Sequence, residues 1–179
     1  MEIFEINAEL KRASEKITAS QLDEIISAIR SHKRIFVYAA GRAGLMLKAL
    51  AMRLMQIGCQ AYVIGETITP AIEKGDLLIV ASASGETKSV VNAADAALCQ
   101  GADILAITGS APSTLNLRHK PLIQIQTDTK FTNSGVSVQP MSTLFEQMLL
   151  MIGDSVILKM SKQIPDAKKI MSKRHASVE

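Results

Sequence analysis

The chain has 179 residues, of which 47% are hydrophobic, so it has the length and the apolar side chains to bury one sizeable core. The formal net charge is only +3 and the basic residues are scattered until the C-terminal tail, which argues against a nucleic-acid-binding surface. The N-terminus lacks the order of a signal peptide and the longest apolar stretch, 144–160, is interrupted by charged residues, so we expect no membrane association.

The predicted elements alternate between helices and strands along the chain. An amphipathic N-terminal region comes first, and the capping-box spacing of Ser20 and Asp23 predicts that a helix begins at Ser20. The elements that follow are a strand over 34–39, a helix over about 45–56 that ends at Gly58, a strand over 61–64, a buried strand over 77–81, a helix over about 87–98, strands over 103–108 and 122–126, and a long helix from about Ser142. Apolar strands that alternate with helices predict an α/β fold, a three-layer αβα sandwich around a five-stranded parallel sheet.

The sequence predicts a single domain over residues 1–179, with an N-terminal helical region and a C-terminal helical tail, because no repeat, linker or low-complexity segment divides it. Cys59 and Cys99 lie in unrelated contexts and lack metal-ligand spacing. We therefore expect a reduced, cytoplasmic protein without a disulfide framework or a bound metal.

A turn rich in hydroxyl residues, 81–87, follows the buried strand and leads into a helix; we call it the serine turn. Backbone N–H groups and hydroxyls at the positive end of a helix dipole bind phosphate. Capping the helix needs only one hydroxyl, whereas four stand around Gly85: Ser82, Ser84, Thr87 and Ser89. The pattern therefore predicts a phosphate site.

A second turn, 41–44, follows the first strand and contains Gly41, Arg42 and Gly44. Because the carboxyl ends of parallel strands meet at one edge of a sheet, both turns would face one small phosphorylated ligand. Strand–Gly–helix turns also occur in α/β proteins that bind nothing there, so a purely structural role for this turn stays open.

Glu146 is the sharpest candidate for a catalytic group. Its helix is apolar on nearly every side, so the carboxylate should be buried, which is unfavourable unless something compensates for it. A structural explanation is equally available, since Thr143 and Glu146 have capping-box spacing and a first-turn Glu suits the helix dipole. The residues alone leave catalysis and capping both open.

The connection 127–140, which contains Lys130 and Asn133, is long for a compact domain. Loops of this length are either functional lids or simply mobile, and both explanations stay open.

The histidines give little direct indication of chemistry. His175 lies in the C-terminal tail, where a histidine is usually a surface residue. His32 and His119 stand beside lysines at element boundaries, and we expect both to be solvated.

Several short segments are informative as a set: Gly41–Gly44, Ala51–Met55 with Gly58 after it, Gly65–Thr67 with Pro70, Ser82–Thr87, Gln139–Met141, Leu144–Gln147 and Arg174–Ala176. Together they resemble the 6-phospho-3-hexuloisomerase family of the sugar isomerase (SIS) domain superfamily. The resemblance extends over essentially the whole chain. The serine turn alone would indicate only a SIS domain, and the other segments narrow the resemblance to this branch.

The resemblance implies a flavodoxin-like or Rossmann-like fold and an isomerase that interconverts 3-hexulose 6-phosphate and fructose 6-phosphate through an enediolate, without a cofactor. Carried over by position, the resemblance assigns phosphate binding to Ser82, Ser84 and Thr87, with Gly85 permitting close approach. It assigns substrate contacts to Gly41, Arg42 and Glu66. Glu146 would be the general base, and His175 would have an acid/base or orienting role. It also implies a homo-oligomer, with a tetramer expected, in which sites lie at subunit interfaces and His175 enters a neighbouring subunit's site.

Two departures from the family pattern leave the substrate open: Ala43 stands where the family usually has Ser, and Ala83 where it has Gly. The alternatives are another SIS aldose–ketose phosphosugar isomerase and a non-catalytic regulatory domain that binds sugar phosphates. Regulators of that kind commonly carry an N-terminal DNA-binding module, and the roughly 30 residues before the first strand are too few for one.

Overall fold

The computed structural model describes residues 1–109, 112–132 and 134–178, so Asn133 of the long connection lies outside it. The elements in chain order are α1 Glu2–Ser14, α2 Ala19–Ser31, β1 Arg34–Ala39, α3 Gly41–Ile57, β2 Gln60–Val63, β3 Leu77–Ser82, α4 Lys88–Cys99, β4 Asp103–Thr108, α5 Thr114–Arg118, β5 Pro121–Gln124, α6 Thr143–Ser161 and α7 Ala167–Lys173. Within these residues no helix combines the length and the apolar character that a membrane span requires.

The strands form one five-stranded parallel sheet in the order β2-β1-β3-β4-β5. β1 lies between β2 and β3, with Val37 opposite Val63 on one side and Ile79 on the other. Helices pack on both faces, so the predicted three-layer α/β sandwich is confirmed. In this strand order the topology switches between β1 and β3, and ligands of such sheets bind beyond the carboxyl ends of those two strands.

Alternate residues of β3 separate two hydrophobic cores. Leu77, Ile79 and Ala81 belong to the core shared with α2, α3 and α6, whereas Leu78 and Val80 belong to the core shared with α4. Every residue of β3 is buried. Because both faces of the strand are covered, it reads in the sequence as an uninterrupted apolar run, which is why the pattern located it.

The start of α2 differs from the prediction. Thr18, not Ser20, is the N-cap: its hydroxyl accepts from the Gln21 N–H (3.2 Å), and its own N–H donates to the Gln21 side chain (2.9 Å). A capping box needs a Glu or Gln at its third helical position, which Gln21 supplies and the shorter Asp23 does not. Asp23 instead forms an ion pair with Lys159 of α6 (2.6 Å).

The start of α3 also differs, because the 41–44 turn is the first turn of the helix rather than a loop before it. Gly44 allows this close approach of α3 to β1: a Cβ at that position would lie 2.5 Å from the carbonyl oxygen of Ala39. The packing therefore brings the first N–H groups of α3 to the carboxyl edge of the sheet.

Candidate functional site

A cavity of about 180 Å³ opens beyond the carboxyl ends of β1 and β3. It is lined by Ala40, Gly41, Arg42, Ala43, Ala81, Ser82, Ala83, Ser84, Thr87, Thr129, Lys130, Met141, Ser142, Phe145 and Glu146. The two predicted turns and Glu146, which are far apart in the sequence, thus line one cavity. It lies at the switch point of the sheet, where this topology places a ligand.

Three helices begin at the cavity. α3 begins at Gly41, α4 follows its N-cap Thr87, and α6 follows its N-cap Ser142; each of these residues lines the cavity. In the described part of the chain, none of the three N-termini is capped by a hydrogen bond from its N-cap side chain. Their partial positive charges and free N–H groups favour an anion such as phosphate.

The hydroxyl groups of the serine turn have different functions in the turn itself. The buried Ser82 hydroxyl accepts from the Gly85 N–H (3.1 Å) and lies 3.0 Å from the Thr87 hydroxyl, so it shapes the turn. The half-buried Ser84 hydroxyl accepts from the Glu86 N–H (3.2 Å) and lines the cavity, where it can donate to a ligand. Ser89 is exposed on α4 and does not line the cavity.

Gly85 does not line the cavity, and the structure gives its small size another cause. Its φ is +65°, and a Cβ there would lie 2.0 Å from the Ser113 hydroxyl. The neighbouring Glu86 carboxylate accepts from the side chain and the backbone N–H of Thr114, both at 2.7 Å, and these bonds lower the pKa of Glu86. The turn is thus held against the start of α5, which requires glycine at position 85; its predicted role in phosphate approach stays a prediction.

The Arg42 guanidinium donates to the Glu146 carboxylate across the cavity, joining the first turns of α3 and α6. The Glu146 side chain is 15% exposed and that of Arg42 is 48% exposed. The capping box is not formed, because the Thr143 hydroxyl donates to the Pro140 carbonyl (2.6 Å). Glu146 does lie in the first turn of α6, where its charge suits the helix dipole, so that part of the structural alternative stays open. Arg42 compensates for the burial of Glu146, and the carboxylate lies where it can take a proton from a bound ligand.

Glu66 and His175 do not line this cavity within one chain. The Glu66 carboxylate lies 3.4 Å from the Lys48 ammonium on an exposed surface. His175 is exposed and lines a separate cavity of about 460 Å³ together with Arg53 and Met171. A role for either residue in the site stays a prediction, which for His175 is a role in the site of a neighbouring subunit.

His32 and His119 are not solvated, contrary to expectation. The imidazole Nε2 of His32 lies 2.9 Å from the Asp103 carboxylate, and that of His119 lies 2.8 Å from Asp95. His119 is 7% exposed. Both pairs join elements that the sequence could not place side by side. Among the described residues, no group of three or more His, Cys, Asp or Glu side chains could hold a metal ion.

The long connection 127–140 reaches the cavity through Thr129 and Lys130. Asp128 organises it: its carboxylate accepts from the Ser134 side chain (2.6 Å), the Ser134 N–H and the Ser137 N–H (3.1 Å). These hydrogen bonds, chiefly the one from the Ser134 hydroxyl, lower the pKa of Asp128 to about 2.

Glu9 of α1 is a second anchor of this connection, and the sequence reasoning did not identify it. Its buried carboxylate accepts from the Ser137 hydroxyl (2.6 Å), the Val138 N–H (2.7 Å) and the Gln139 side chain (2.9 Å). Burial raises the pKa of Glu9, but these hydrogen bonds outweigh burial and leave the pKa lowered. A signal was available, because Glu9 interrupts the apolar stripe of α1 at helical spacing.

The chain is similar to known proteins over most of its length. The SIS domain family matches residues 28–153. A Bacillus subtilis protein named 3-hexulose-6-phosphate isomerase is 36% identical over 179 residues, covering 99% of this chain and 97% of its own, and a Mycobacterium gastri protein of the same name is 35% identical, with 97% and 88% covered. The crystal structure of a Methanococcus jannaschii protein, from which the same function was inferred, superposes with a TM-score of 0.84 at 30% identity and covers 99% of both chains.

Proposed function

The chain belongs to the SIS domain family, and on that premise we propose that it is a phosphosugar isomerase that interconverts 3-hexulose 6-phosphate and fructose 6-phosphate. The observation that supports this most directly is the partly buried Glu146 carboxylate in the same cavity as three helix N-termini and the serine turn. A phosphosugar needs both parts, an anion site for its phosphate and a base for its carbon skeleton.

The reaction moves a carbonyl from C3 of the sugar to C2. Glu146 takes the proton from C2, an enediolate forms across C2 and C3, and the proton returns to C3. A second proton passes from the oxygen on C2 to the oxygen on C3. The reactant and the product are isomers, so the step balances without an oxidant or a reductant. Arg42, already beside Glu146, stabilises the negative charge that develops on the enediolate oxygens.

The phosphate is bound by the N-termini of α3 and α4, with Ser84 and Thr87 as hydroxyl donors and Ser82 keeping the turn in shape. Gly41 takes part through the backbone N–H groups at the start of α3. Glu66 contacts the substrate only if another copy of the chain or the bound substrate brings its carboxylate to the site. No cofactor takes part.

We further infer that the active form is a homo-oligomer, a tetramer, in which His175 of another copy completes the site as a second acid/base. The separation of His175 from the cavity within one chain motivates this. Mixing a chain truncated before Lys173 with inactive Glu146→Gln chains tests it, because hybrids could pair an intact Glu146 with an intact His175. If activity never exceeds that of the parents although subunits exchange, the shared site is wrong.

The same proposal places the protein in the cytoplasm and in the ribulose monophosphate route of formaldehyde handling. The decisive assay incubates the chain with fructose 6-phosphate and a lyase that cleaves 3-hexulose 6-phosphate to release formaldehyde. Formaldehyde should appear only when both proteins are present. Binding of fructose 6-phosphate without any conversion would favour a regulatory domain, and conversion of an aldose phosphate instead would favour the aldose–ketose alternative.

A further inference from the structure

The charged side chains that line the cavity do not balance a bound phosphosugar. They are Arg42, Lys130 and Glu146. Arg42 and Glu146 already pair with each other, so their charges cancel. Among the described residues Lys130 forms no ion pair. A phosphate monoester brings close to two negative charges, and Lys130 is the side-chain cation left to meet them.

The backbone around Lys130 holds it in a short, closed turn. The Thr132 N–H donates to the Thr129 carbonyl (3.1 Å), and the Thr129 N–H donates to the Thr132 hydroxyl (3.0 Å). Lys130 and Phe131 are the two residues at the tip. The Lys130 ammonium lies 4.7 Å from the centre of the Phe131 ring, which is a cation–π contact. The ammonium can bind a phosphate while it keeps this contact or after it leaves the ring.

The turn is anchored on both sides by carboxylates. Asp128 precedes it and binds Ser134 and Ser137, and Glu9 of α1 binds the segment from Ser137 to Gln139. The Glu9 bonds tie the connection to α1 and the Asp128 bonds close it on itself, so together they limit the positions that the exposed Lys130 can take beside the cavity. Such pre-ordering lowers the entropy lost on binding.

We propose that Lys130 is the cation that binds the substrate phosphate, and that Arg42 instead serves the reacting carbons. This inference rests on the proposed phosphosugar function and assigns a specificity-determining residue within that site. On this proposal, Lys130 makes the protein bind phosphorylated sugars in preference to neutral sugars. Because the phosphate takes no part in the bond changes, Lys130 strengthens binding of substrate and transition state alike, so its loss raises KM more than it lowers kcat.

The test uses Lys130→Met, which keeps the side-chain length without the charge, and Lys130→Arg, which keeps the charge. Lys11→Met is the control, since Lys11 is exposed on α1 and lines none of this cavity. Calorimetry with fructose 6-phosphate and with inorganic phosphate gives the dissociation constants. We expect Lys130→Met to raise both about ten- to hundred-fold, the effect of losing one charge-assisted contact. Lys130→Arg, which keeps the charge, should bind both anions more tightly than Lys130→Met does, and Lys11→Met should match the wild type.

The outcomes separate this inference from the isomerase assignment. If the wild type isomerises fructose 6-phosphate and Lys130→Met binds both anions as tightly as Lys11→Met does, the inference is wrong and the isomerase stands. If Lys130→Met loses kcat at an unchanged KM, Lys130 acts at the reacting carbons and the inference is again wrong. If the wild type isomerises nothing but Lys130→Met weakens phosphate binding, the inference stands without the isomerase. A wild type that binds neither anion overturns both.

Discussion

Replacing Glu146 with Gln separates a catalytic role from a structural one, because the two roles predict effects of very different size. The amide keeps the shape of the side chain but weakens its ion pair with Arg42. The Arg42 side chain is 48% exposed, so solvent screens the pair and its contribution to stability is about 0.2–1 kcal/mol. For a chain of this length that corresponds to a fall in Tm of at most about 4 °C.

The catalytic effect should be far larger. A positioned general base accelerates a reaction by about two to four orders of magnitude, or about 3–5 kcal/mol of transition-state stabilisation. The amide that replaces the Glu146 carboxylate cannot accept the proton, so we expect kcat in the coupled formaldehyde-release assay to fall by about that factor. Binding of fructose 6-phosphate should change little, because the phosphate contacts remain.

Asp154→Asn is the matched control, since it makes the same chemical change at an exposed position of α6 outside the cavity. It should retain full turnover. The reasoning is refuted if Glu146→Gln turns over within about tenfold of the wild type while Tm falls, because the carboxylate would then serve stability alone.

Three further changes, with Gly135→Ala as the control for one of them, test the site and the contacts that support it. Ser84→Ala should weaken phosphosugar binding about tenfold with the fold intact, and an unchanged dissociation constant by calorimetry would remove Ser84 from the phosphate site. Gly85→Ala should lower the free energy of unfolding in urea by more than about 3 kcal/mol, because the new Cβ would lie 2.0 Å from the Ser113 hydroxyl at φ +65°. Gly135→Ala is the control: at φ +74° its new Cβ would have no described atom within 4 Å, so only the strain of the backbone conformation should lower the free energy of unfolding. Asp128 stabilises the fold above its unfolded pKa of about 3.9 and loses that effect as pH falls through its folded pKa of about 2. The difference in unfolding free energy between the wild type and Asp128→Asn should therefore shrink over that pH range. A difference that stays constant with pH would contradict this.

The sequence predicted well where local pattern decides the structure. The buried run 77–81 gave β3, and Gly58 was correctly placed at the end of α3. The serine turn and Glu146 line one cavity, and the serine turn lies there because parallel strands bring their carboxyl ends to one edge of the sheet. The start of α2 was misplaced by two residues, because two overlapping spacings compete locally, Thr18 with the Gln21 amide and Ser20 with the Asp23 carboxylate, and the longer reach of Gln21 decides between them.

The features that could not be predicted from the sequence depend on contacts between segments that are far apart along the chain. Glu9 and the connection 127–140 are more than 110 residues apart, and no spacing rule links a buried carboxylate on one helix to three donors on a loop. His119 was misjudged for the same reason, since its partner Asp95 comes from α4. Lys130 appeared only as one polar residue in a long loop until the fold placed it beside the cavity.

The two departures from the family pattern act on different properties of the site. Among the described non-glycine residues, positive φ occurs at Met141 and Asp166, so Ala83 has an ordinary backbone conformation and needs no glycine. Its carbonyl accepts from the Gly109 N–H (3.1 Å), which fixes the turn. Ala43 does line the cavity, and its methyl group replaces a hydroxyl that would contribute about 1.5–3 kcal/mol as a donor to phosphate. If the helix N-termini and Lys130 bind the phosphate as proposed, Ala43 should change how tightly a phosphosugar binds, whereas the chemistry at the carbon skeleton, proposed for Arg42 and Glu146, should be unaffected.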